Sequence, residues 1–313
     1  MKALIVILLL SVSGWTAMAQ FDYGFEFSKA GTAGLQSLKI LPGARDAALG
    51  GAVAALTHDV TSVFVNPGGL AFVEQTQASV SHVAWLAGSR TDAAVVATPV
   101  GGFVLALSAV RFGIDEFEET TVRQPLGTGR MVSAGDVLVG VAAGRRFSDK
   151  LTIGLQFKYV RESLDNDAVS NILFDVGTIY YTGFHNLRLA FALQHFGPDM
   201  KVISQKFRSP LLFRVGAGED IAIGEDHHLT AGVDLVHPTD NNEWVNFGLE
   251  YDMLNLVSLR AGYRINVERG KFSLGAGVHP PPVAGVSLGV DYAYTHFDET
   301  MEPIQQFSLM ISF

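Results

Sequence analysis

The sequence has no cysteine among its 313 residues, and only 17% of its residues are charged. Without cysteine the chain has no disulfide, no thiolate metal site and no cysteine-linked lipid. The charged fraction lies well below the roughly 25% of typical soluble domains, which argues against disorder and against a surface wholly exposed to water. The net charge of −9 leaves no basic excess, so nucleic acid is excluded as a partner.

Long apolar runs are scarce, and one of them opens the chain. A charged start and a short apolar core precede the small-residue site Ala17, Met18 and Ala19. This pattern predicts a cleaved signal peptide over residues 1–19 and export in a bacterium with two membranes. The alternative is a membrane-anchoring helix, which needs about 20 apolar residues, roughly twice the number found here.

Most of the chain after Gln75 alternates apolar and polar residues with a period of two. In 151–159, Leu, Ile, Leu, Phe and Tyr alternate with Thr, Gly, Gln and Lys. Successive strand side chains point to opposite faces, so each segment has one apolar and one polar face. About fourteen strands are predicted, with centres near Val80, Val95, Leu107, Val139, Leu155, Val176, Phe191, Val215, Val233, Leu249, Ala261, Ala276, Val290 and Leu309.

Alternation alone fits either a soluble sandwich or an outer-membrane barrel, and connection lengths favour the barrel. Counted from the first strand, the long connections are odd-numbered, whereas the even-numbered ones are mostly tight. Long loops on one rim and short turns on the other are typical of bacterial barrels. The predicted long connections are 113–133, 163–170, 197–209 and 237–243.

The polar faces of the predicted strands are rich in glycine and carry charges of both signs. Glycine weakens a strand that faces water, but inside a barrel it leaves room for a packed segment. Opposite charges in the lumen are expected to pair. The residues concerned are Gly154, Gly216, Gly218, Gly232, Gly248, Gly262 and Gly289, with Arg188, Arg214, Asp234, Glu250, Arg260, Arg264 and Asp291.

The chain ends in an alternating strand and a terminal aromatic residue, Phe313. This ending resembles the outer-membrane targeting signal that the assembly machinery of bacterial barrels reads. We therefore predict an all-β transmembrane barrel of about 14 antiparallel strands over residues 76–313, in contact with outer-membrane lipid. In hydrocarbon every backbone N–H and C=O needs a partner within the protein, so the barrel must close.

Residues 20–75 have little alternation and many small side chains. Fourteen strands enclose a lumen too wide for wall side chains alone to fill. These residues are predicted to form a partly helical plug, or hatch, inside the barrel. A periplasmic extension outside the barrel is the alternative.

This N-terminal segment contains a glycine-rich motif. It runs Gly43-Ala44-Arg45-Asp46-Ala47-Ala48-Leu49-Gly50-Gly51-Ala52, continues with Asp59 and closes with Asn66-Pro67-Gly68-Gly69-Leu70-Ala71. The motif resembles the N-terminal signature of the PorV/PorQ family, whose outer-membrane barrels are FadL-like. Gly68 departs from the family pattern, in which alanine is usual. The resemblance implies a type IX secretion accessory whose partners are the translocon and the C-terminal domains of secreted cargo.

The chemistry of the motif residues indicates that they hold the plug in place. Gly50 and Gly51 allow positive φ or close backbone approach, and Pro67 and the glycines after it, including Gly69, make a turn. Asn66 is expected to hydrogen-bond within that turn. Arg45 and Asp59 are expected to pair with lumen charges, and Gly43 belongs to the same structural motif.

Two functions remain open beside a purely structural barrel. A secretion accessory would recognise cargo through loops 113–133 and 197–209. A FadL-like transporter would pass hydrophobic small molecules through an apolar pocket near the plug, lined for example by Phe64, Phe72 or Phe112, with exit through the lumen or laterally through the wall. No nucleophile elbow, metal-ligand set or nucleotide motif is found, so no enzyme activity, cofactor or metal is predicted.

Overall fold

The structure is a computed structural model that describes residues 29, 31–202, 205–224, 226–297 and 301–313. The predicted signal peptide, 1–19, and the start of the predicted plug, 20–28, lie outside the described residues. Within the described part of the chain, no helix is both long and apolar enough to cross a membrane.

Strands dominate the chain from Gln77 onward, as the alternation predicts. In chain order they are β1 (Gln77–Ala84), β2 (Arg90–Val100), β3 (Phe103–Gly113), β4 (Phe117–Glu118), β5 (Met131–Val132), β6 (Ala134–Arg146), β7 (Leu151–Leu164), β8 (Asp167–Tyr181), β9 (Arg188–Phe196), β10 (Met200–Val202), β11 (Gln205–Phe207), β12 (Leu212–Ala222), β13 (His227–Pro238), β14 (Trp244–Met253), β15 (Val257–Ile265), β16 (Phe272–Val278), β17 (Ser287–His296) and β18 (Ile304–Ser312).

Fourteen of these strands form one closed antiparallel barrel, which confirms the predicted fold class. Neighbours in the sheet follow the chain order, and β18 closes on β1 with Gln77 opposite Ser312 and Ala84 opposite Gln305. The pairs β4–β5 and β10–β11 are short hairpins within two of the connections. Closure leaves the wall without an unpaired edge.

The barrel is apolar on its outer face and polar on its inner face. In β14, Leu249 faces outward and is 52% exposed, whereas the next residue, Glu250, faces the lumen and is 4% exposed. Outward aromatic side chains lie near both strand ends, with Tyr159 and Tyr263 at one end and Phe103 at the other. An apolar band between two aromatic girdles is the surface that a transmembrane barrel presents to lipid.

The two rims of the barrel differ. The long-loop rim carries the connections 114–133 and 197–211, and the short-turn rim carries the tight turns 101–102 and 254–256. The sorting is incomplete, because the connection 279–286 on the short-turn rim is also long.

The predicted long connection over 163–170 is wrong. Strands β7 and β8 continue through it and are joined by Asp165 and Asn166 alone, with Asp165 at a φ of 57°. Ser163 pairs with Ala168 beyond the apolar band. Beyond the apolar band, both faces of a strand meet polar surroundings. The strands therefore stay paired in this region although the sequence no longer alternates between apolar and polar residues.

Arginine in place of Leu249 is expected to destabilise the barrel by about 2–4 kcal/mol, because it puts a charge at mid-wall in hydrocarbon. Urea unfolding in phosphatidylcholine vesicles measures the change. The control is arginine in place of Leu254, which lies in a turn and is 64% exposed; we expect this variant to stay within about 0.5 kcal/mol of the parent. Equal losses in the two variants would contradict a lipid-facing outer surface.

Candidate functional site

A segment of small residues occupies the barrel lumen, and we call residues 35–73 the plug. It contains one short helix, α1 (Ala44–Ala48), and the 3₁₀ turns Gln36–Lys39, Val60–Phe64 and Pro67–Phe72. Between residues 42 and 57 every residue is buried except the half-buried Arg45. Helix α1 packs against β15 to β18, and the last turn packs against β6 to β8. The plug therefore bridges opposite sides of the wall.

Glycines on the inner face let the plug backbone touch the wall. A Cβ added at Gly154 would lie 2.1 Å from the carbonyl carbon of Pro67, and one at Gly262 would lie 2.1 Å from the amide nitrogen of Gly50. Atoms in packed interiors do not approach so closely, so a side chain there would push the plug away. Gly216, Gly218, Gly232 and Gly248 also face plug atoms, whereas Gly289 faces His279 of a wall connection.

The wall holds the plug through its backbone at Gly50 and Gly51. Both residues have positive φ, 64° and 80°, a conformation that favours glycine. The carbonyl oxygen of Gly50 accepts a hydrogen bond from Arg264 Nε at 2.9 Å. That of Gly51 accepts one from Asn246 Nδ2 at 3.1 Å. Both donors belong to barrel strands, so the unusual backbone of the plug is matched to the wall.

Asn66 joins two parts of the plug to the barrel. Its Oδ1 accepts a hydrogen bond from the backbone N–H of Gly68 at 3.0 Å. Its Nδ2 donates to the carbonyl oxygens of Ala54 at 2.8 Å and Thr178, in β8, at 3.1 Å. Pro67 follows at the first position of a 3₁₀ turn, where its missing N–H leaves no hydrogen bond unmade.

The other two motif glycines lie at close contacts inside the plug. A Cβ at Gly43 would lie 2.8 Å from Asp46 Oδ2, and one at Gly69 would lie 2.6 Å from Thr57 Oγ1. Among the described residues, neither carboxylate oxygen of Asp46 has a hydrogen-bond partner. Burial, and then the charge of Asp59, raise the pKa of Asp46 to about 7. A carboxyl group without partners makes this part of the plug less tightly bound than its close packing suggests.

Arg45 anchors the plug to the wall through a network of charges. Its Nη2 lies 2.7 Å from Glu250 Oε1, and its Nε donates to Oε2 at 2.9 Å. Glu250 also accepts from Arg260, whose Nη1 lies 2.5 Å from Asp291 Oδ1. Removing one member of a buried network leaves its partner charge uncompensated, so the network opposes plug displacement.

Two aspartates bind backbone N–H groups of the plug. Among the described residues Asp59 forms no ion pair with a lumen charge, in contrast to the prediction; its Oδ1 accepts from the N–H of Thr61 at 2.8 Å and caps the turn Val60–Phe64. In β13, Asp234 Oδ2 accepts from the N–H groups of Val53 at 3.1 Å and Ala54 at 2.9 Å. A short acidic side chain satisfies N–H groups that a turn leaves free.

A small apolar cavity of about 40 Å³ lies between the plug and the long-loop half of the wall. Phe64 and Phe112, two of the predicted pocket residues, line it. The third, Phe72, does not: it packs edge-on against Tyr181 with ring centroids 5.7 Å apart, on the short-turn side. The apolar lining is completed by Leu38, Ile40, Pro42, Val63, Val110 and Leu138.

The remaining lining residues of this cavity are polar: Ser37, Asp136 and Gln156, and a cluster of Lys158, Asp175 and His195 that was not predicted as a site. Lys158 Nζ lies 2.6 Å from Asp175 Oδ2 and 2.7 Å from His195 Nδ1. The register between β8 and β9 shifts between Phe174 and Val176, which brings the aspartate and histidine together. The alternation in 151–159 places Lys158 on the polar face of its strand. Its partner His195 lies on a strand whose register shifts, and no local sequence pattern predicts that contact.

A second cavity of about 370 Å³ lies on the short-turn side of the plug. Its lining is mainly polar and includes Arg45, Asp59, Glu250, Arg260 and His279. The plug therefore separates an apolar cavity on one side from a polar cavity on the other.

The chain has the fold of several solved transporters. It matches the Ralstonia pickettii toluene transporter TbuX with a TM-score of 0.61 and 13% identity, over 87% of this chain and 97% of that one. The Pseudomonas putida toluene transporter TodX gives 0.61 and 10%, over 87% and 98%. A Pseudomonas aeruginosa FadL homologue gives 0.58 and 10%, over 87% and 98%.

No family model matches the chain, and no curated protein matches its sequence. At such low identities the structural likeness shows a FadL-like barrel fold and nothing finer. The PorV/PorQ resemblance therefore stays a prediction.

Alanine in place of Gly154 is expected to cost about 1–3 kcal/mol of stability, because its methyl group overlaps the plug backbone at Pro67. The matched control is alanine in place of Gly113, where an added Cβ meets nothing within 4 Å. Thermal unfolding in detergent micelles compares the two variants. Equal melting temperatures would show that the plug does not press on the wall at Gly154.

Proposed function

We propose that the chain transports a small hydrophobic molecule across the outer membrane, with the plug acting as its hatch. The observation that carries the proposal is the apolar cavity between plug and wall, on the long-loop side of the plug. The FadL-like fold supports it, since TbuX and TodX are described as toluene transporters. The apolar outer band of the closed barrel supports an outer-membrane location.

Passage requires the plug to move. The apolar cavity, at about 40 Å³, is smaller than the roughly 150 Å³ engineered cavity that accepts benzene. The plug also separates this cavity from the polar one on the short-turn side. A ligand that enters from the long loops would therefore widen the first cavity and displace the plug before it reaches the second.

The contacts of the plug are compatible with such a movement. Several of its bonds to the wall are hydrogen bonds that water can replace, such as those from Val53 and Ala54 to Asp234, whereas the Arg45–Glu250 ion pair has to break before the plug moves. Some buried polar atoms, including both carboxylate oxygens of Asp46, have no hydrogen-bond partner among the described residues. Partly satisfied polar contacts lower the cost of releasing the segment.

The strand registers favour a route through the lumen over a lateral exit. Strand β3 pairs along its length with β2 and with β6. Between adjacent barrel strands of the described chain, the register shifts only between β8 and β9, near Phe174. A gap in the wall would expose unpaired backbone groups to lipid, which is costly.

Tryptophan in place of Val110, which lines the apolar cavity, is expected to reduce uptake of a hydrophobic probe such as toluene at least tenfold by filling the cavity. Tryptophan in place of Val139 is the control, because Val139 faces outward on the adjacent strand and is 45% exposed. Radiolabelled toluene uptake into cells that express equal amounts of folded barrel gives the measurement. Equal uptake by both variants would refute transport through this cavity.

A second candidate function, the type IX secretion accessory, is favoured by the connection 114–133. At its tip Val122 and Leu126 are fully exposed. Arg130 braces the connection, with Nη2 3.1 Å from Glu119 Oε1 and Nη1 2.8 Å from Asp165 Oδ2. Hydrogen bonds from Arg130 hold the pKa of Glu119 below its usual value. Exposed apolar patches mark protein-binding sites, and Val122 and Leu126 would contribute to such a patch on this loop.

For this second function, we expect that serine at both Val122 and Leu126 abolishes crosslinked co-purification of translocon or cargo from intact outer membranes. The control is serine in place of Val283, which is 76% exposed on the short-turn rim. The secretion function is excluded if the parent protein recovers neither partner, whatever the variants do.

A further inference from the structure

A row of five side chains, four of them polar or charged, crosses the lipid-facing surface near the long-loop rim. Strand registers place His82 beside Asp92, Asp92 beside Arg111, Arg111 beside Val137 and Val137 beside Arg161. All five side chains are exposed and point outward. Charged side chains on the outer face of a transmembrane barrel are unfavourable unless they lie at the membrane boundary or meet a partner.

The row marks the upper edge of the apolar band. One outward position nearer the middle of the wall, the residues on the same strands are Val80, Ala94, Ala109, Val139 and Tyr159. A tyrosine directly below a row of charges is typical of the level at which lipid headgroups begin. The charged row therefore faces headgroups and not acyl chains.

Two arginines of this row have no partner from the protein. His82 and Asp92 bind each other, with Nδ1 2.7 Å from Oδ1. Among the described residues, Arg111 and Arg161 form no ion pair or hydrogen bond. They stand two strand spacings apart, about 10 Å, a distance that two long side chains can bridge around one anionic group. Asp92 is the only acidic residue of the row and binds His82, so Arg111 and Arg161 leave the row with an excess of positive charge at headgroup level.

Below the arginines, a depression of about 670 Å³ runs along the outer wall. Small side chains, Ala94 and Ala109, form its floor where β2 pairs with β3. Larger apolar side chains stand at its sides, including Val80, Phe307 and Leu309. Such an apolar channel suits an extended hydrocarbon chain.

We infer that this surface is a binding site for a phosphate-bearing lipid of the leaflet at the long-loop rim. The phosphate lies between Arg111 and Arg161, and one acyl chain lies in the depression over Ala94 and Ala109. The charge complementarity of two unpaired guanidinium groups to a phosphate selects this occupant over a zwitterionic lipid. The inference depends on the barrel spanning a membrane and not on what the barrel transports.

The test uses the mature full-length protein in detergent with phosphatidylglycerol or phosphatidylcholine of identical chains, and native mass spectrometry counts the bound lipid. We expect selective retention of phosphatidylglycerol. Glutamine at both Arg111 and Arg161 should reduce that retention about 25-fold, since each basic residue near a charged lipid contributes a factor of about five. Tryptophan in place of Ala109 should also reduce it by blocking the depression.

The control is glutamine in place of Arg145, an exposed arginine at the short-turn rim whose guanidinium stacks on Phe103 at 4.9 Å. We expect this variant to retain the lipid as the parent does, and unfolding temperatures should be unchanged in all glutamine variants. Equal retention of the two lipids, or full retention by the double variant, would overturn the inference. Displacement of the lipid by millimolar inorganic phosphate would likewise overturn it in favour of a free-phosphate site.

Discussion

Hydrocarbon offers a peptide group no hydrogen-bond partner, and this constraint determines the rest of the structure. It requires the wall to close, and β18 does so by pairing with β1 from Gln77 to Ala84. Closure with fourteen strands creates a lumen that side chains alone do not fill. The plug fills that space, so the N-terminal segment and the wall form one packed structure.

Packing in the lumen depends on wall positions that have no side chain. Gly154 and Gly262 have no side chain where the plug backbone comes nearest, while charged residues such as Glu250 and Asp234 reach in between them. The same arrangement leaves an apolar cavity on the long-loop side and a polar one on the other. The plug therefore lies between two cavities that differ in polarity.

The sequence predicted the parts that alternation controls and missed those that depend on register. The fourteen barrel strands and their outward apolar faces were predicted because lipid makes the period of two visible. The turn at Asp165 was missed because strands beyond the apolar band lose that contrast. The contact of Lys158 with His195 depends on a register shift between β8 and β9, which no local pattern encodes. Phe72 was misplaced because composition does not fix which side of the plug a ring faces.

The grip on the plug at Gly50, Gly51 and Val53 is made by wall side chains on main-chain atoms. Peptide groups are the same whatever residue carries them, so these hydrogen bonds tolerate changes in neighbouring plug side chains. Leu38 and Phe64, which line the apolar cavity, can vary without weakening these hydrogen bonds. Under the proposed transport function, the specificity of the cavity can therefore change through a few plug residues while the attachment of the plug to the wall stays constant.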